Sequence, residues 1–384
     1  MRINHTLTLL LLLITSFTTS AINGTQEQIN ITHPDFPEPL TFNISLPAGY
    51  SEDKDRSYNL MFDFHPFADT YLRGMHDWMS HNGEWPWLKT IFVTPAAGNR
   101  VGMLFDESGK STPLLDFFEQ QLFPAVDKKY RTNGFRIISG FRVNGTIALS
   151  ALINKPDLFN AYIAISPELK DDYVGIMSTA QQKLAKLNDK PRFLLLTHGS
   201  TIKEDHQQQD YRKLHNILKS SAPQQLEWHD KHYKDHYFMS LPLVSIISGI
   251  ELLFDDVNSG LEATSPISKQ GVAAIIKHYK YLSTEKYGFE VSPKDSINNL
   301  GFALLKTSPE KGLAVFRELV KQYPDDAYSH HNLAEAFASL GDYDNAVKHQ
   351  RDAVKLADKM LTWHQKRQQK ILEDYIAKSH NTSD

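Results

Sequence analysis

Between Leu40 and Phe254 short apolar runs alternate with amphipathic stretches, and this alternation restricts the chain to a small set of folds. Brief apolar runs read as strands buried on both faces, and stretches with apolar residues three and four apart read as helices lying across them. The expected strands are Leu40–Leu46, Tyr58–Phe64, Thr90–Thr94, Arg136–Ser139, Ala161–Ile165, Arg192–Thr197 and Leu226–His229. Helices are expected over Leu114–Val126, Thr146–Ile153, Tyr211–Lys219 and Leu241–Leu253. Strands that alternate with helices imply an α/β domain with a mostly parallel sheet and a ligand site at the C-terminal ends of its strands.

Past Phe254 the pattern changes. Asp255 to Pro266 is polar, with Ser, Gly and Pro, and beyond it the period is purely helical. The segment Asn299-Leu300-Gly301-Phe302-Ala303 returns 33 positions later as Asn332-Leu333-Ala334-Glu335-Ala336, and Leu313-Ala314 returns near Asn345-Ala346. The second copy, with Phe337, Leu340-Gly341-Asp342-Tyr343, Ala346 and Ala353, resembles a tetratricopeptide repeat, in which small residues let paired helices approach closely. Two copies are fewer than the roughly three a free-standing array needs, so the repeats are expected to lean on the helix at Ala273–Leu282, on the final helix around Ile371–Ile376, or on the α/β domain. At 384 residues the chain exceeds one core, which stops growing near roughly 250–300 residues. The expected organisation is an α/β domain over 22–257, a linker and connecting helix over 258–292, and helical repeats over 293–380.

The first 21 residues read as a signal peptide: Arg2, an apolar stretch from Leu7 to Ile14, then small residues including Thr19 and Ala21. The apolar stretch is shorter than the roughly 20 residues of a bilayer span. Cleavage after Ala21 predicts a mature chain that starts near Ile22 and has no membrane span. An exported chain with no cysteine depends on core burial, which suits a bacterial periplasmic or secreted protein. With 41 basic against 45 acidic residues and a net charge of -4, there is no field to recruit nucleic acid or an anionic membrane.

The strand Arg136-Ile137-Ile138-Ser139 runs into Gly140-Phe141-Arg142-Val143-Asn144-Gly145 and then a helix, which is the setting of a nucleophile elbow. In a G-x-S-x-G turn, small residues permit the strained strand-to-helix turn that lifts a serine above the sheet, and the next backbone N–H helps to hold an oxyanion. Here Arg142 stands in the serine's place and Asn144 in that of a glycine.

From about Thr41 to Phe254 the chain resembles the Putative esterase family of α/β hydrolases, which includes esterase D and the ferric-siderophore esterases. The segments that carry the likeness are Asn99-Arg100, Phe117-Phe118 with Pro124, Tyr130-Arg131-Thr132, Pro156-Asp157-Leu158-Phe159, Ile165-Ser166-Pro167, and Asp235-His236-Tyr237-Phe238-Met239-Ser240-Leu241-Pro242. The stretch from His278-Tyr279 through Tyr287-Gly288-Phe289 to Leu300-Gly301 is similar to a bacterial subgroup in which this esterase is fused to tetratricopeptide repeats. The resemblance implies that His236 holds the general-base position and that the triad acid follows the strand ending at Thr197, with Glu204 or Asp205 as candidates. Arg142, Val143 and His65 form the expected ligand-binding set. A guanidinium stays protonated and cannot attack a carbonyl, so ordinary serine turnover is expected to be absent.

Two functions remain open on the sequence. The first is a silent, esterase-like ligand-binding or scaffolding protein in which the planar fork of Arg142 meets an anionic ligand or ester and the repeats meet a protein partner. The second is an active carboxylic-ester hydrolase with a displaced nucleophile, for which Ser139 and Ser166 are the nearby candidates. No cofactor is expected. The grouping of His229, His232, Asp235 and His236 suggests metal ligation, but His229 and His232 point to opposite faces of an extended segment, so no metal site is expected there.

Overall fold

The computed structural model describes residues 24–80, 86–106, 108 and 110–381, so the expected signal segment lies outside the described residues. Eight strands form one sheet in the order β1-β2-β4-β3-β5-β6-β7-β8. They are β1 (Thr25–Ile31), β2 (Leu40–Leu46), β3 (Tyr58–Asp63), β4 (Thr90–Pro95), β5 (Thr132–Phe141), β6 (Ala161–Ile165), β7 (Arg192–Gly199) and β8 (Leu226–Tyr233). The strands β3 to β8 run parallel, and β1 and β2 join antiparallel at one edge. This is the mostly parallel sheet that the alternation predicts.

Side-chain alternation along the central strands feeds two cores. Phe62, Ile138, Ala164 and Leu194 face one, while Met61, Ile137, Ile163 and Leu195 face the other. Both faces are therefore covered, and the strands read as continuous apolar runs. The covering helices of the α/β part are α1 (Ala68–Met79), α2 (Thr112–Phe117), α3 (Phe123–Lys129), α4 (Val143–Asn154), α5 (Ile176–Leu184), α6 (Gln208–Ser221), α7 (Leu241–Leu253), α8 (Asp255–Asn258) and α9 (Val272–Tyr281). The single helix expected over Leu114–Val126 is two helices joined by a π-helical segment, Phe118–Leu122.

A helical C-terminal region follows: α10 (Lys294–Thr307), α11 (Pro309–Gln322), α12 (Ala327–Ser339), α13 (Tyr343–Leu356) and α14 (Thr362–Asn381). Its core is continuous with the second face of the sheet, because one cluster of buried side chains runs from Met61 and Ile163 through Phe254 and Tyr287 to Leu319, Leu333 and Tyr375. Polar contacts fix the junction: Tyr287 Oη donates to the Leu253 carbonyl at 2.7 Å, and Lys286 pairs with Glu227 and Asp256. Among the described residues no helix is long and apolar enough to cross a membrane.

Candidate functional site

The sharp turn from β5 into α4 lies at mid-sheet, between the C-terminal ends of β3 and β6. Its apex is Arg142, at φ 58° and ψ -123°, a conformation that crowds the Cβ of any L-residue. The turn is tight enough to dictate its neighbours. A Cβ on Gly140 would come within 2.2 Å of the Asn144 carbonyl oxygen, and one on Gly145 within 2.9 Å of the carbonyl oxygens of Gly140 and Ile165. The Arg142 N–H donates to the Ile165 carbonyl at 2.9 Å, and the Thr146 N–H to the Arg142 carbonyl at 3.0 Å. The elbow backbone is intact around a residue with no nucleophilic atom.

The Arg142 side chain is 57% exposed, and Glu168 is its nearest carboxylate, at 3.8 Å. None of its N–H groups hydrogen-bonds to a described residue, and the guanidinium carbon lies 6.0 Å from the Phe238 ring centroid. Glu168 also faces His206, at 3.8 Å. Beside the elbow a cleft of about 460 Å³ is lined by Phe64, Phe105, Asp106, Val143, Asn144 and Tyr173 among others. Its wall is about evenly polar and apolar, with one carboxylate, that of Asp106, held below its usual range by the hydroxyl of Ser108 and the N–H of Lys110.

The other sequence candidates are distributed around this rim. His65 is exposed just beyond β3; its N–H donates to Asp63 Oδ1 at 2.9 Å, and its Nδ1 accepts from the Phe67 N–H at 3.1 Å. The loop after β3 commonly supplies the second oxyanion donor, and here two of its N–H groups are already engaged. Val143 opens α4 and is 38% exposed. His236 is exposed two residues before Phe238, whose ring packs on Phe141 at 4.7 Å, so the tail segment folds over the elbow. The imidazole of His236 meets Tyr233 edge-on at 5.5 Å and forms no hydrogen bond with a described residue.

Glu204 is fully buried and directed inward. It accepts from Ser166 Oγ at 2.6 Å, from the Gly199 N–H at 2.7 Å and from Thr201 Oγ1 at 3.1 Å. Asp205 is exposed in the next short turn. The structure therefore does not bring Glu204 and His236 into hydrogen-bond contact. Ser166, at φ 41°, is buried against Glu204, and Ser139 is buried with its hydroxyl 2.5 Å from Asp63 Oδ2. Neither serine meets an imidazole. His229 and His232 both lie on β8: His229 contacts Glu227 and the ring of Phe193, while His232 stacks on His198 at 4.6 Å.

Sequence reasoning missed Glu168 and Asp63. Asp63 ends β3 in register with Ser139, and burial pushes its carboxyl up to about 6, against hydrogen bonds from Ser139, the His65 N–H and Tyr71 that pull it down. An acidic residue closing an apolar strand was the available signal.

An intact elbow at the centre of a mostly parallel sheet defines an esterase-type α/β hydrolase framework. The chain belongs to the Putative esterase family, whose model matches residues 34–231. Among curated proteins it is similar to the ferri-bacillibactin esterase BesA of Bacillus subtilis (strain 168), with 29% identity over 116 residues. That match covers 28% of this chain and 40% of the relative's length. An IroE-like serine hydrolase from Shewanella oneidensis superposes with a TM-score of 0.56 at 20% identity, covering 73% of this chain and 94% of that one. An uncharacterised protein from Capnocytophaga ochracea superposes with a TM-score of 0.66 at 14% identity over 92% of this chain and 100% of that one, so the likeness in fold extends into the C-terminal helices.

Proposed function

We propose that this protein is a silent member of its family: an exported esterase-fold protein that binds an anionic or ester ligand at the elbow without hydrolysing it. The observation that carries the reading is Arg142 at the apex of a preserved elbow. Removing the serine of a serine-hydrolase triad leaves only about 10³–10⁴ of catalysis over water. The two serines nearest the elbow are buried on carboxylates, which supports the same conclusion. The free donors of Arg142, at a helix N-terminus where backbone N–H groups already favour negative charge, support anion binding. Glu168 and Asp106 limit the net field, so the suited ligand presents anionic groups beside uncharged polar and apolar surface. The relative's name supplies the candidate, a ferric siderophore ester. The apolar stretch before Ala21 supports export to a bacterial periplasm or medium, and the paired helices α10–α13 support a tetratricopeptide-like surface for a protein partner.

The test is fluorophosphonate labelling of the purified protein with mass-spectrometric mapping; the expected result is no labelled serine. A second reading, hydrolysis by a displaced serine, is favoured by one contact: exposed Ser200 hydrogen-bonds to His232 Nε2. Ser200 follows β7, two strands from β5 and so about 10 Å across the sheet from the elbow. A label on Ser200 would establish that second reading. Ligand binding is checked with ferri-bacillibactin by tryptophan quenching. Arg142→Ala is expected to weaken it by about 1.5–3 kcal/mol, the scale of a charged hydrogen bond. Unchanged affinity would remove Arg142 from the binding site.

A further inference from the structure

Helices α12 and α13 form an antiparallel pair joined by a turn in which Gly341 takes φ 80°. His330 on α12 and His349 and Asp352 on α13 each offer one ligand-type atom, and these atoms all lie within 4.8 Å of one another. His349 and Asp352 are three positions apart on one helix and so share a face. His330 Nδ1 and Asp352 Oδ2 are 3.7 Å apart. That is too long for a hydrogen bond and near the roughly 3.4 Å between two ligands of a tetrahedral ion with bonds of about 2.0–2.1 Å.

The protonation pattern suits an ion. His330 Nε2 lies 2.9 Å from the Pro324 carbonyl oxygen, which can only accept, so Nε2 carries the proton and the neutral ring turns the Nδ1 lone pair toward the cluster. A carbonyl on the far nitrogen is the usual way a ligating imidazole is oriented. Nδ1 of His330 and Nδ1 of His349 are both buried, and neither has a hydrogen-bond partner. The His349 ring is fixed by stacking on Phe337 at 5.6 Å and 4°. The Asp352 side chain is 50% exposed, which leaves a path for an ion and room for a water.

We propose that His330, His349 and Asp352 bind a zinc-class divalent transition ion through two Nδ1 atoms and one carboxylate oxygen, with water in the fourth position, linking α12 to α13. Two imidazoles with one carboxylate suit zinc and its neighbours, whereas magnesium and calcium take mainly oxygen ligands at higher coordination number. The positive charges of Lys348 and Arg317 near His349 further disfavour an ion held by charge alone. The site is independent of the elbow and of what occurs there.

The experiment is isothermal titration of the metal-free full-length protein with Zn(II), read beside the absorption spectrum of the Co(II) form. One equivalent of zinc in the wild type should bind at least tenfold more weakly in His349→Ala and in Asp352→Asn, and the tetrahedral Co(II) bands should disappear from both. Zinc held by other histidines is common to all three proteins and cancels. If His349→Ala does not fold, Asp352→Asn, which alters a half-exposed side chain, decides alone. Equal affinity and stoichiometry in the wild type and Asp352→Asn, or no zinc bound by the wild type, would overturn the proposal.

Discussion

Arg142 holds a backbone conformation that costs a non-glycine residue about 1–3 kcal/mol, and the hydrogen bonds of its N–H to the Ile165 carbonyl and of the Thr146 N–H to its carbonyl hold it there. Arg142→Gly removes that strain but frees the unfolded chain, which offsets about 0.4–1 kcal/mol. Urea denaturation should therefore find this variant as stable as the wild type or more stable, by up to about 2 kcal/mol. Gly140→Ala works in the opposite sense: its Cβ meets backbone, which cannot rotate away, and a loss of about 1–3 kcal/mol or more is expected in the same assay. Asp63 gives a pH signature. Its folded-state value of about 6 exceeds the 3.8 of the free side chain, so the native state binds the proton more tightly. This contribution is fully present below about pH 3.8 and is lost as pH rises through about 6, at about 1.4 kcal/mol per unit and so about 3 kcal/mol in all. Asp63→Asn should gain stability relative to the wild type between pH 5 and pH 7.5, as seen by thermal melts at both values; a constant difference would contradict the buried-carboxyl account. The elbow was legible because an apolar strand runs through Gly140 and Gly145 straight into a helix, whereas the pairings of Glu168 with Arg142 and of Glu204 with Ser166 join residues far apart in sequence.

At the scale of elements, the strands buried on both faces were readable as apolar runs, and β2, β6 and α7 have the expected ends. The edge strand β1 was not, because Thr-Gln-Glu-Gln-Ile-Asn-Ile is mostly exposed and its apolar alternation is confined to Ile29 and Ile31; its pairing with β2 makes the whole segment a strand. The ends of β5, β7 and β8 were read short because polar residues such as His198, Asp230 and Lys231 continue the ladder past the apolar run. The segment after β7 illustrates what such polar residues do. Glu204 takes three hydrogen bonds that hold Ser166, Gly199 and Thr201 in one arrangement. Glu204→Ala leaves the Gly199 N–H and the Ser166 hydroxyl buried without partners, at about 1–3 kcal/mol each. Its denaturation midpoint should fall accordingly; an unchanged midpoint would mean that water reaches the segment.

For the whole molecule, the change of period after Phe254 announced the C-terminal helices, but not how deeply they are joined to the sheet. Helix α9 and the turn through Tyr287 carry one core from the sheet into the helices, with the aromatic rings of Phe135, Phe254, Tyr287 and Phe289 at the junction. A fragment of residues 267–384 keeps α9 to α14 but loses that face, which strips the cover from the inner side of Leu282, Tyr287 and Ile297. It should show no cooperative thermal transition by circular dichroism, whereas cooperative melting would mark an autonomous module. The proposed silence follows from Arg142 at the apex of a preserved elbow. Steady-state hydrolysis of a short-chain p-nitrophenyl ester by the wild type and by Arg142→Ala tests it most directly. The predicted result is no turnover above the buffer rate by either protein; hydrolysis by the wild type that Arg142→Ala matches would contradict it.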